Sequence, residues 1–105
     1  MLFRSLLDEP FAALDELTRQ RLDEKLQQLW LRHRPTVLFV THSIAEAAFL
    51  AQRVVVFSSR PARIVGDHTL DLPLERNVAL RTDPHFVAQT RRLYESLVQG
   101  ESSRV

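Results

Sequence analysis

The spacing of hydrophobic and polar residues changes several times along this chain, and each change predicts a new helix, strand or turn. A short apolar segment closes with Leu6 and Leu7 and stops at Asp8, Glu9 and Pro10. Proline cannot continue the hydrogen-bond ladder of a central strand. The pattern therefore predicts a strand that ends at the two carboxylates.

The next segment has helical spacing. Its apolar positions fall at i, i+4, i+7 and i+8. These positions are Leu22, Leu26, Leu29 and Trp30. Asp15 is placed to cap this helix and Pro35 to stop it, so we expect an amphipathic helix from Glu16 to His33 whose apolar residues, including the tryptophan, belong to the core.

Two further strands and a short helix follow. The unbroken apolar run in residues 36–41 is typical of a parallel strand that is covered on both faces. Ser43 followed three residues later by Glu46 predicts a capping box that opens a helix. The run at 54–57 predicts another strand, and residues 64–72 predict a further strand or hairpin partner.

Residues 59–62 between those last two strands read as a turn, and the chain after them becomes irregular. Residues 73–82 predict an irregular connection. Asp83 and Pro84 supply a cap and a first-turn proline for a last helix, which we expect Gly100 to end and residues 101–105 to follow as a frayed tail. The apolar residues expected on this helix are Phe86, Val87, Leu93, Tyr94, Leu97 and Val98.

The order strand, helix, strand, helix, strand predicts an α/β fold, in which ligands sit at the carboxyl ends of parallel strands. That geometry places Asp8, Glu9 and His42 at one rim of the sheet. Adjacent carboxylates are, however, most often simply solvated. Side chains at i and i+1 also point to opposite faces of a strand, so Asp8 and Glu9 converge only if the chain turns there.

Composition narrows the function classes. The chain has 105 residues, a net charge of +1, 14 basic against 13 acidic residues and no cysteine. This balance gives no clustered basic face for nucleic acid, and the missing thiols exclude disulfides and thiolate metal sites. We expect a cytoplasmic chain, because no apolar run approaches the ~20 residues of a membrane span and none resembles a secretion signal. His33, His68 and His85 show no metal-like spacing and are expected at the surface or in packing.

Glycine and lysine are scarce. Gly66 and Gly100 are far apart, and Lys25 lies in a charged helical stretch. The sequence therefore contains no G-x-x-x-x-G-K-[ST] phosphate loop.

Three stretches of sequence nevertheless carry a specific resemblance. They are LLDEPFAALD at residues 6–15, VTHS at 40–43 and EA at 46–47. Together they closely resemble the second half of the ATP-binding subunit of ABC transporters. FLAQRVVV at 49–56 and RPARI at 60–64 are similar to the branch that imports nitrate, sulfonates and taurine.

This resemblance implies roles for individual residues. Asp8 would hold the Mg²⁺ of Mg-ATP, Glu9 would polarise the attacking water, and His42 would contact the γ-phosphate. Asp15 would lie at the contact between two such domains, next to the bound ATP, a role compatible with capping a helix. The implied partners are permease subunits and a second ATP-binding subunit, at the inner face of the cell membrane.

The family's phosphate loop (Walker A), glutamine loop and glycine-paired signature precede this stretch. We therefore expect residues 1–105 to form the C-terminal part of one ABC ATP-binding domain, a partial P-loop NTPase fold with a parallel-strand core and flanking helices, lacking the Walker A half. Its last helix is expected at about residues 84–98, and Met1 would be an internal or shifted start. The chain alone is expected not to turn over ATP.

In the family's sheet the Walker A strand lies between the histidine strand and the one after it. The strand at 54–57 must then pair directly with that at 37–40 or leave two apolar edges open, which predicts marginal stability or dependence on a partner.

Three function classes stay open. The first is the ATPase subunit of an importer, represented by its C-terminal portion. The second is a non-enzymatic remnant or interaction fragment. The third is a receiver-type phosphoacceptor domain, which needs a lysine at a later strand end, whereas Lys25 lies within a predicted helix.

Overall fold

Strands and helices alternate along the first half of the chain, and a hairpin and a long helix form the second half. The computed structural model describes residues 4–59 and 61–102. The elements are β1 (Arg4–Asp8), α1 (Glu16–His33), β2 (Thr36–Val40), α2 (Ile44–Leu50), β3 (Arg53–Phe57), β4 (Ile64–Thr69), a short 3-10 helix (Val78–Thr82) and α3 (Pro84–Ser102). The predicted α/β class is confirmed. Some predictions fall on residues outside the described ranges, namely those on Met1, on Arg60 of the turn and on residues 103–105 of the tail.

The four strands form two separate pairs. β1 and β2 are parallel, with Leu6 opposite Leu38 and Asp8 opposite Val40. β3 and β4 form an antiparallel hairpin. Within the described ranges no ladder joins β2 to β3. Of the two expected arrangements, the structure therefore has the one with open strand edges.

The β1–β2 pair has one bare face. Leu6, Leu38 and Val40 on this face are 67%, 64% and 44% exposed. The prediction that β2 is covered on both faces is wrong, because only one face of this small sheet has packing partners in the described chain. On that covered face, the rings of Phe39 and Phe11 lie 6.2 Å apart.

The hydrophobic core lies instead between α2, α3 and the hairpin. Its buried members are Ala48, Phe49, Leu70, Phe86 and Leu93. Of the apolar residues expected on α3, Phe86 and Leu93 are buried in this core. Val87, Tyr94 and Val98 are exposed.

The predicted ends of α1 are confirmed, but its predicted apolar face is only partly correct. The Asp15 side chain accepts a hydrogen bond from the Thr18 backbone N–H, and the helix ends before Arg34, whose φ is 48°. The two fully buried residues of α1 are polar, namely Asp23 and Gln27, whereas Leu29 is 52% exposed. The side of α1 that packs against α2 and against the segment after β4 is therefore partly polar. The apolar spacing did not predict this.

Both glycines lie where α3 crosses β4. The prediction that Gly100 ends the last helix is wrong, since α3 continues to Ser102. A Cβ atom at Gly100 would lie 2.7–2.9 Å from three side-chain atoms of Val65. A Cβ at Gly66 would lie 2.9 Å from side-chain atoms of Ser96 and His68. Glycine is used at these two positions for close approach of helix and strand.

Arg76 joins the segment after β4 to the end of α2. Its buried guanidinium donates hydrogen bonds to the carbonyl oxygens of Ala48 and Phe49, both at 3.2 Å, and to that of Ala51. The last carbonyl groups of a helix have no partner within the helix. Arg76 therefore caps α2, in a segment that was predicted to be irregular and that also contains the 3-10 helix.

Among the described residues, no helix combines the length and the hydropathy that crossing a bilayer would require.

Candidate functional site

Two parallel strands bring the candidate residues to one edge of the β1–β2 pair. β1 ends at Asp8 and β2 at Val40, directly opposite each other. The ladder is extended by one further hydrogen bond, from the backbone N–H of Glu9 to the carbonyl oxygen of Val40 at 2.7 Å. Glu9 and His42 therefore start from adjacent points on the same rim.

The chain turns sharply at Glu9. This residue has a φ of 44°, in the left-handed region that non-glycine residues rarely occupy. Turn hydrogen bonds follow, from Ala12 N to Glu9 O at 3.2 Å and from Leu14 N to Phe11 O at 3.1 Å. The turn that the two carboxylates needed in order to converge is therefore present, but Asp8 and Glu9 still do not meet at one site. Backbone strain of this kind is concentrated at functional sites in proteins.

Glu9 and His42 meet across the rim. The His42 Nε2 atom lies 3.3 Å from the Glu9 Oε1 atom. The His42 side chain is 93% exposed and that of Glu9 is 33% exposed. The structure thus brings together a carboxylate and an imidazole from two different strand ends, with one side open to solvent.

Asp8 does not join this pair. It is exposed and continues the alternation that places Leu6 on the bare face of the sheet, whereas Glu9 lines the cleft described below. Within the described ranges, no group of three or more histidine or acidic side chains is arranged to hold a metal ion. A single carboxylate nevertheless fits Mg²⁺, which commonly takes one or two protein carboxylates and completes its shell with phosphate oxygens and water.

A cleft of about 250 Å³ opens beside the Glu9–His42 pair. It is lined by Glu9, Ala12, Arg19, Thr41, His42, Ser43 and Glu46. The lining comes from three places in the chain, which are the turn after β1, the first turns of α1 and the start of α2. Any ligand in this cleft would therefore contact all three.

The start of α2 is fixed by two hydroxyl groups. The Ser43 Oγ atom accepts a hydrogen bond from Glu46 N at 3.2 Å, which confirms Ser43 as the N-cap. The Ser43 backbone N–H donates to the Thr41 Oγ1 atom at 3.0 Å. The predicted capping box is therefore only half formed, because the Glu46 side chain is buried against α1 instead of returning to Ser43.

Asp15 begins α1 at the end of the turn. Its Oδ1 atom accepts a hydrogen bond from Thr18 N at 2.9 Å. Hydrogen bonding from Thr18 holds the pKa of the Asp15 carboxyl below its usual value. The carboxylate is exposed, and its hydrogen bond to Thr18 fixes its position at the start of α1.

The sequence did not point to Arg19, which is the one arginine among the residues that line the cleft. Its Nη2 atom donates to the carbonyl oxygen of Leu14 at 3.3 Å, and its Nη1 atom lies 3.6 Å from the Glu16 carboxylate. No local signal in the sequence marks Arg19, because the face of α1 that meets the cleft is set by tertiary packing.

The other histidines have local partners. The His68 Nε2 atom lies 2.6 Å from the Ser96 Oγ atom, and the His85 Nε2 atom lies 2.6 Å from the Asp71 carbonyl oxygen. The partly buried His68 and the exposed His85 agree with the prediction that these histidines lie in packing or at the surface. His33 is exposed at the end of α1.

Comparison with known proteins identifies relatives over most of the chain. It is 46% identical over 89 residues to the nitrate import ATP-binding protein NrtD of Synechococcus elongatus, covering 82% of this chain and 32% of that protein. It is 51% identical over 82 residues to the aliphatic sulfonates import ATP-binding protein SsuB of Frankia casuarinae, covering 77% of this chain and 25% of that protein. It is 42% identical over 92 residues to an ABC transporter ATP-binding protein of Methanocaldococcus jannaschii, covering 88% and 33%.

These relatives confirm the resemblance to ATP-binding subunits of ABC importers. The chain spans about a third of the length of the curated relatives it matches. No protein-family model matches it.

Proposed function

We propose that this chain is the C-terminal portion of the ATP-hydrolysing subunit of an ABC importer for nitrate, sulfonate or taurine-like solutes. In the complete subunit it would supply the Walker B carboxylates, the D-loop and the switch histidine of a P-loop NTPase fold. The observation that carries the proposal is the contact between Glu9 and His42, which two parallel strand ends bring within 3.3 Å at the mouth of a cleft.

Hydrolysis of a phosphoanhydride depends mainly on positioning the attacking water and on stabilising negative charge. In this proposal the Glu9 carboxylate accepts a hydrogen bond from the water and orients it. The His42 ring, largely exposed at the same rim, donates to a γ-phosphate oxygen. The position of the Glu9 side chain supports this assignment, since it lines the cleft, whereas Asp8 continues the exposed face of the sheet.

Asp8 would hold a magnesium ion through water. The ion would neutralise charge on the phosphates, and the other oxygen ligands would come from ATP. Asp15 would lie at the contact with a second ATP-binding subunit, adjacent to its nucleotide. The subunit would act at the cytoplasmic side of the membrane, with permease subunits as further partners.

These 105 residues contain no phosphate loop, so they offer ATP neither a cradle of backbone amides nor a loop lysine. We therefore expect the chain by itself not to hydrolyse ATP. We expect activity after addition of a polypeptide that carries the phosphate loop and signature, for instance the corresponding N-terminal segment of the Synechococcus nitrate import protein.

A phosphate-release assay tests this proposal. The complemented chain should release phosphate in a Mg²⁺-dependent reaction, whereas Glu9→Gln and His42→Ala should lose most of the activity. Glu95→Gln, which changes an exposed carboxylate on α3, is the matched control and should behave as wild type. Mg²⁺-dependent hydrolysis by the chain alone, sensitive to Glu9→Gln, would contradict the expectation. Equal activity of the Glu9→Gln and Glu95→Gln chains would refute the role of Glu9.

A further inference from the structure

Two carboxyl groups face each other in the interior behind the cleft. Asp23 of α1 is 1% exposed and Glu46 of α2 is 4% exposed. The Asp23 Oδ1 and Glu46 Oε2 atoms are buried and have no hydrogen-bond partner. Glu46 also lines the cleft, four residues after His42 and three after Ser43. Nothing in the proposed hydrolysis uses these two groups.

Two arginines face the pair, one from α1 and one from the 3-10 helix. They are Arg19 and Arg81, and both act on the charge of Asp23. The Nη atoms of Arg19 contact Glu16 and Leu14, while the Arg19 Nε atom and the Arg81 Nε and Nη2 atoms are buried without a hydrogen-bond partner. The Arg81 guanidinium instead lies over the Phe49 ring, 4.0 Å from its centroid. From α2 the facing charge is Glu46 itself.

Two ionised carboxylates cannot share such a site at low energy, because burial removes their hydration and their charges repel. A single proton converts this repulsion into a hydrogen bond between them. Burial, followed by the hydrogen bond and the charge of Glu46, raises the pKa of Asp23 to about 8, against the opposing effect of the two arginines.

We propose that Asp23 and Glu46 share one proton, and that this proton ties α1 to α2 and so holds Ser43 and His42 at the cleft. Asp23 and Glu46 are then positioning residues. The shared proton itself is independent of any activity, and only its consequence for catalysis rests on the proposed function.

The sign of the pH dependence follows from the direction of the shift. An aspartate in the unfolded chain ionises near its ordinary pKa of 3.8, whereas in the folded chain it keeps its proton to about pH 8. The folded state therefore binds the extra proton between these values. This contribution to stability is complete below pH 3.8 and is lost as the pH rises through about 8.

The test is the urea midpoint of the full chain, measured from about pH 6 to about pH 9.5. We expect the midpoint of the wild type to fall up to about pH 8 and to level off above it. In Asp23→Asn, and in Glu46→Gln, an amide donates the hydrogen bond at every pH, so both profiles should be much flatter. Glu95→Gln, the exposed control, should follow the wild type. Parallel profiles for the wild type and both amide variants would overturn the proposal.

A second measurement does not depend on the variants folding. The ¹³C resonance of the Asp23 carboxyl carbon in the wild-type chain should titrate near pH 8, far above an ordinary aspartate. Titration of that carbon below about pH 5 would overturn the proposal, since it would mean that Arg19 and Arg81 neutralise two ionised carboxylates. Neither readout involves ATP, so a failure of the proposed function would leave both results unaffected.

Discussion

Replacing Gly100 by alanine sets two effects of known size against each other. Alanine is more favourable than glycine in a helix interior by up to ~1 kcal/mol. At this position, however, the new Cβ atom would lie 2.7, 2.8 and 2.9 Å from three atoms of the Val65 side chain. Valine is stiff at χ1 and sits on a strand, so helix and strand must separate. Overpacking of this kind typically destabilises by ~1–3 kcal/mol.

We therefore expect Gly100→Ala to destabilise the chain by up to about 2 kcal/mol, which is the overpacking cost less the propensity gain. For a domain of this size the same change corresponds to a fall of up to roughly 16 °C in Tm. Equilibrium urea unfolding followed by circular dichroism measures it directly.

The same substitution made in a Val65→Ala chain tests whether Val65 is the obstacle. In a Val65→Ala chain the crowding atoms are absent, so Gly100→Ala should become neutral or stabilising by up to ~1 kcal/mol. A stabilising effect of Gly100→Ala in the wild-type background would show that Gly100 is only a helix terminator. An unchanged destabilisation in the Val65→Ala background would show that Val65 is not the obstacle.

Two further changes test the elements that hold the cleft. Asp15→Ala removes the N-cap of α1 and should destabilise the chain by ~1 kcal/mol, measured by urea unfolding. An unchanged free energy of unfolding would mean that the Thr18 hydrogen bond contributes nothing to stability. Arg76→Met leaves the last carbonyl groups of α2 buried without a donor and should destabilise by about 3 kcal/mol or more, seen as a lower Tm. Arg91→Met, an exposed change on α3, is its control, and equal Tm values for the two variants would contradict the capping role.

Local signals predicted the element ends well. The side chains that cap α1, α2 and α3 act on backbone groups within three residues, and Asp15, Ser43 and Asp83 do so in the structure. Pro84 begins α3 for the same local reason, because its fixed φ suits a first helical turn. Such interactions need no knowledge of the tertiary fold.

Burial was less predictable, because it depends on partners that are distant in sequence. Leu29 fits the apolar spacing of α1 but is exposed, while Gln27 is buried because its Nε2 atom donates to the carbonyl oxygen of Leu74. Gly100 looked like a helix end because a close approach to Val65 cannot be seen in a single sequence. For the same reason the pairing of Asp23 with Glu46 could not be predicted, since these residues are 23 positions apart and meet only when α1 packs on α2.

The candidate site was largely predictable, because strand ends and a turn define it. The motif at residues 6–15 and the TH pair at 41–42 located Glu9 and His42, and parallel pairing brought them together. Arg19 and Glu46 in the cleft lining could not be assigned, since both belong to helix faces whose orientation depends on packing. The roles of all four residues toward ATP stay predictions, namely those of Asp8, Glu9, Asp15 and His42.

We propose that these residues supply the hydrolytic half of an ATPase site, and an assay that separates ATP binding from ATP hydrolysis tests this proposal. The chain, complemented by a polypeptide that carries the phosphate loop, would be mixed with Mg-ATP labelled on the γ-phosphate, and bound label and released phosphate would be measured together. We expect Glu9→Gln to keep the bound label and to lose phosphate release, while the wild type releases phosphate. Equal phosphate release by Glu9→Gln and wild type would show that Glu9 has no part in hydrolysis.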